Sequence, residues 1–153
     1  CNEDQDPRED FTRSLLDSLD NRGSIFIYTT YEKMIIRLLA EHLPAYRVRL
    51  LETLDRFKDL CDITRKYYYH PKFHGSFSLK SVLPALCPDM SYENLAIREG
   101  NQASLEYARM IDSATPPAEK NRIRKDLLIY CGQDTLAMVK IRAELLKRFP
   151  GSN

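Results

Sequence analysis

Ser24-Ile25-Phe26-Ile27-Tyr28, followed by Thr29-Thr30-Tyr31-Glu32, decides the fold of this 153-residue chain. Four consecutive apolar or aromatic residues, preceded by Asn21-Arg22-Gly23, predict a short strand. The run does not alternate with polar residues, which predicts a buried strand parallel to a neighbour. Thr29-Thr30 then reads as the cap of a helix over residues 31–43, with Met34, Ile35, Leu38 and Leu39 as its inner face. A strand leading directly into a helix is the unit of an α/β fold.

Upstream, Asp6-Pro7-Arg8-Glu9 has the order of a helix start: Asp as N-cap, Pro at the first position, Glu in the first turn. Phe11, Leu15, Leu16 and Leu19 follow at helical spacing, and Gly23 ends that helix. Downstream, Pro44 breaks the 31–43 helix, and residues 46–54 form another. Arg56-Phe57-Lys58-Asp59-Leu60 fits either a second short strand or the end of that helix. Residues 67–76 are an aromatic loop punctuated by Pro71 and Gly75. Ser78 caps a short helix over 79–85, Ser91-Tyr92-Glu93-Asn94 is a turn, and residues 101–110 are helical. Thr115-Pro116-Pro117 opens a long final helical region in which Gly132 is expected to mark a join or bend. The tally is five to eight helices and two or three strands. A two-stranded sheet is marginal alone, so further strands are expected to precede residue 1.

Apolar residues make up 43% of the chain, charged residues 29%, and the formal net charge is +1. No global field therefore argues for nucleic acid, membrane or an acidic substrate, and a nucleic-acid role needs a local patch. Cys1, Cys61, Cys87 and Cys131 form no CxxC, which argues against a zinc knuckle and predicts free thiols in a reducing, cytoplasmic setting. Cys131 is expected to be a buried thiol. No apolar run is long enough to span a membrane. A start at Cys1 rather than Met suggests a piece of a longer protein.

Tyr130-Cys131-Gly132-Gln133-Asp134 lies in a segment, residues 122–149, that reads as helix. Positions i and i+4 share a face, so a phenol stands beside a carboxylate. That pair is suited to holding a metal ion and steering a water.

Ile27-Tyr28-Thr29-Thr30-Tyr31-Glu32 resembles the second motif of the DEDD exonucleases, and Tyr130-x-x-x-Asp134 the third motif of their tyrosine subclass. The ordered series Asp6-Pro7-Arg8, Tyr31-Glu32, Tyr69-His70-Pro71, residues 75–84, residues 92–97 and residues 130–138 is similar to an uncharacterised bacterial domain family. That family is found C-terminal to RecB/Cas4-type nuclease modules. The resemblance spans nearly the whole chain. It implies that residues 1–153 are the C-terminal portion of one ribonuclease-H-like, α/β exonuclease domain, mostly helical and lacking the first strands.

In that fold four carboxylates hold two divalent ions that drive phosphodiester hydrolysis from the 3′ end of DNA or RNA. The resemblance implies Glu32 and Asp134 as metal ligands for Mg²⁺ or Mn²⁺, with Tyr130 as the third catalytic residue, orienting water. The Asp-x-Glu of the first strand does not occur here, so the chain alone is expected to be inactive. Glu32 stands where most members have Asp, and Tyr28 where they have Asn. These departures motivate a second expectation, a non-catalytic module that binds nucleic acid or a partner such as a fused or neighbouring RecB-like nuclease.

Lys80, Tyr69 and His70 are candidate strand-binding residues, with Lys66, Lys72, Tyr67 and His74 nearby in sequence. Arg56 is a further candidate phosphate contact. Asp59 reads as a structural carboxylate holding a turn. His70-x-x-x-His74 has ligand spacing only on a helix, which Pro71 and Gly75 oppose.

Overall fold

A computed structural model describes residues 6–149. Among them seven α-helices and two strands fall into two compact units, residues 6–69 and residues 70–149. The fold is an α/β mix, mostly helical, with one short parallel pair of strands.

In the first unit, α1 (Arg8–Ser18) is started by Asp6, whose Oδ1 accepts the Arg8 backbone N–H at 3.0 Å. The N-cap itself is Pro7, with no side-chain cap, so Asp6 acts from one residue ahead of the cap and not from the cap position expected for it. Gly23 adopts φ +83°, a turn that favours glycine, and the chain enters β1 (Ile25–Ile27). The Arg56 guanidinium donates to the Gly23 and Arg22 carbonyls at 2.9 and 2.7 Å, fastening this turn. That is a structural task for a residue the sequence offered as a phosphate contact.

α2 (Tyr31–His42) follows, then a 3-10 turn (Pro44–Tyr46), α3 (Arg47–Leu54) and β2 (Phe57–Asp59). β1 and β2 pair in parallel with Ile25 opposite Phe57 and Ile27 opposite Asp59. The segment at 56–60 is thus a strand, and it runs directly into α4 (Leu60–Tyr67), a helix absent from the sequence-based expectation. Leu16, Ile36, Leu39, Ala40 and Leu50 form the core of this unit. The inner face of α2 is thus carried by Ile36, Leu39 and Ala40, while Met34 and Leu38 are exposed. The expected face was rotated because its register was counted from the wrong apolar residues.

The second unit contains a 3-10 turn (Pro71–Phe73), α5 (Leu79–Leu86), α6 (Gly100–Ile111) and α7 (Pro117–Arg148). Ser78 caps α5 by accepting the Ser81 N–H, as its position predicts. α7 packs against both α5 and α6. Its inner face is Ile123, Tyr130, Ala137, Ile141 and Leu145, with Phe73, Val82 and Leu83 fully buried in the same unit. α7 runs unbroken through Gly132, contrary to the expected join. A helical glycine costs about 1 kcal/mol relative to Ala, too little to interrupt a helix held by tertiary packing along its length.

Among the described residues Cys61, Cys87 and Cys131 form no disulfide. Cys131 is exposed, not buried as expected, because it falls on the side of α7 away from Tyr130 and Ala137. Among the described residues no helix is long and apolar enough to cross a membrane.

Candidate functional site

Tyr130 and Asp134 lie one turn apart on α7, on the face turned toward its unit. The turn at Ser91-Tyr92 sets a second phenol against them. Gln133 Nε2 donates to the Ser91 carbonyl at 3.2 Å, which fixes that turn. The Tyr92 hydroxyl donates to Asp134 Oδ1 at 2.7 Å, a short charge-assisted bond. The Tyr92 and Tyr130 rings stand 6.2 Å apart, with Tyr130 one helical turn from the same carboxylate. Lys80, in the first turn of α5, holds its Nζ 5.9 Å from the centre of the Tyr92 ring, within cation–π reach. Burial, and then the Asp134 charge, push the Tyr130 phenol up to about 12. Around neutral pH Tyr130 is therefore a hydrogen-bond donor and not a base.

In the first unit, Glu32 occupies the first turn of α2, directly after β1. It is half-buried with Oε2 shielded from solvent, and the helix N-terminus favours its charge. Thr30 makes no side-chain cap to α2. The order at this corner comes from Asp59 at the end of β2. Its Oδ1 accepts the N–H groups of Thr29 (3.0 Å), Cys61 (2.9 Å) and Asp62 (3.3 Å). Thr29 sits at φ +72°, a conformation costly for a β-branched residue, and the Asp59 bond helps hold it there. Tyr28 is buried, and desolvation beside Cys61 lifts its phenol well above the usual tyrosine range.

The second unit thus brings together Lys80, Tyr130 and Asp134 and adds Tyr92, which sequence reading placed only on a turn. Periodicity cannot reveal a turn residue that reaches a helix 42 positions away. Glu32 and Tyr69 belong to the first unit, and Tyr69 is exposed. His70, in the second unit, accepts the Lys72 N–H at Nδ1 (3.2 Å) and caps the 3-10 turn. His74 takes a left-handed conformation, so the two histidines share no helix. Lys66 lies over the Tyr67 ring at 5.2 Å. Among the described residues no three His, Cys, Asp or Glu side chains gather to hold a metal ion, so these residues by themselves do not complete an ion site.

Residues 1–78 match the family described as Domain of unknown function (DUF2779), and the chain belongs to that family. No curated protein matches the chain, and no solved structure matches it.

Proposed function

We propose that this DUF2779 chain is part of a ribonuclease-H-like, DEDD-type domain whose activity is 3′-to-5′ cleavage of DNA or RNA. The observation that carries the reading is the Tyr92–Asp134–Tyr130 cluster with Lys80 beside it. A carboxylate oriented by one phenol, with a second phenol near it and a cation over the first ring, is a pre-set polar surface for a phosphodiester. In this reading Lys80 contacts a phosphate, Tyr130 donates a hydrogen bond to a substrate oxygen or water, and Tyr69 and His70 lie along the strand. Glu32 and Asp134 are hard oxygen ligands suited to Mg²⁺ or Mn²⁺. Because the described residues hold no three-ligand group, the reading requires carboxylates from outside them.

The test uses the protein at its full natural length with 5′-labelled single strands of DNA and RNA and added Mg²⁺ or Mn²⁺. Stepwise shortening from the 3′ end, lost in D134N and in E32Q, is the expected result. No shortening with either ion overturns the reading.

A second reading, a non-catalytic module that binds a strand or a neighbouring RecB-like nuclease, is favoured by one observation. The Asp134 carboxylate is already bonded by the Tyr92 hydroxyl. Strand binding that weakens with salt, without cleavage, would select it.

A further inference from the structure

α7 is apolar on two opposite sides. Its inner face is the one buried in its unit; the outer one is exposed. Over residues 129–146 the outer side keeps a heptad rhythm: Ile129, Leu136 and Ala143 at one core position, Gly132, Val139 and Leu146 at the other. Ile129, Leu136, Val139 and Leu146 are 46%, 44%, 58% and 43% exposed. At about 1.5 Å per residue the seam is roughly 27 Å long. A side chain built at Gly132 would meet nothing within 4 Å, so the seam has an open notch at its middle.

The charges beside the seam are of one sign. The flanking positions of the heptad carry Lys140, Arg142 and Lys147, and no acidic residue. Asp134 and Glu144 fall outside the seam and its flanks. Lys147 pairs with Glu144 at 2.6 Å, an exposed pair that is easily exchanged. Flanking charges of this kind set partner choice in helix pairing. A second copy would bring lysine and arginine against lysine and arginine.

We infer that the outer face of α7 docks an amphipathic helix of a partner polypeptide, apolar along its seam and acidic at its flanks. This surface is independent of the Asp134 cluster and of the nuclease reading.

The test titrates the full chain into a fluorescein-labelled synthetic helix of three heptads, Leu and Ile at the seam and Glu at the flanks. Fluorescence anisotropy is the readout. Saturable binding is expected. It should weaken about tenfold or more in K140E/R142E/K147E. A Gly132→Gln variant should weaken it similarly, because the notch is filled. That variant removes a helical glycine into open space and is expected to keep its fold, checked by circular dichroism. A scrambled peptide of the same charge should not bind. Equal binding of the scrambled peptide, or binding unaffected by Gly132→Gln, overturns the inference. Self-association lost in V139E would overturn it in favour of a second copy. Flotation with phosphatidylserine vesicles, without peptide binding, would overturn it in favour of a membrane surface.

Discussion

Asp59 and Asp134 are both sheltered carboxylates, one in each unit, and they are held in different ways. Asp59 is bound by the backbone: three N–H groups, from Thr29, Cys61 and Asp62, converge on one oxygen. They tie the ends of β1 and β2 and the start of α4 to a single side chain. Asp134 is bound by a side chain, the phenol of Tyr92, in the middle of a helix whose own backbone needs no help. A carboxylate that satisfies backbone amides is part of the fold. One that is only aimed, by a phenol whose ring lies under Lys80, is free of that duty and available for chemistry.

The largest expected effect is at Asp59. Replacing it with Ala leaves three N–H groups without their acceptor and removes the α4 cap. It should destabilise the first unit by about 2–3 kcal/mol. Urea unfolding followed by circular dichroism measures this; a cost near zero would break the comparison at its structural end.

Alkaline pH probes the other end. The Tyr130 phenol is raised from 10.0 to about 12 in the folded chain. Between those values the folded state binds more protons than the unfolded state. Its contribution to stability is therefore complete below pH 10 and lost as pH rises toward 12. Tyr28 acts in the same direction in the first unit. Tyr130→Phe should flatten the fall in the second unit alone, read as urea midpoints at pH 8 and pH 11.

Tyr92→Phe removes the 2.7 Å bond to Asp134 and keeps the ring. We expect a cost of about 1 kcal/mol, together with a larger proportional loss of strand binding or cleavage. Equal small losses in both would make the cluster an ordinary structural contact. The smallest effect is at Gly132, on the opposite side of α7. Gly132→Ala should stabilise by about 0.5–1 kcal/mol and leave the phenol cluster untouched.

Much of the local architecture was legible in the residues. Gly23, Ser78 and the Pro117 helix start all act as their chemistry dictates, and Asp6 bonds the start of α1 from one residue ahead of its cap. The parallel character of β1 followed from its unbroken apolar run. α4 was not read although Leu60, Ile63, Thr64 and Tyr67 keep helical spacing, because eight residues make only about two turns, directly after a strand and running into a tyrosine loop. The register of α2 was misread because seven of its twelve residues are apolar and they are not confined to one face. Tyr130 and Asp134 were legible as a pair through helical spacing; Tyr92 was not, since its partner is fixed only by tertiary packing.

The most direct test of the contrast is amide chemical-shift mapping of the full chain titrated at low salt with a short single strand of DNA or RNA. The account predicts shifts at Lys80, Tyr92, Tyr130 and Asp134, with Thr29, Cys61 and Asp62 unmoved. Shifts centred on Thr29, Cys61 and Asp62, or no perturbation near Asp134 with either strand, would contradict it.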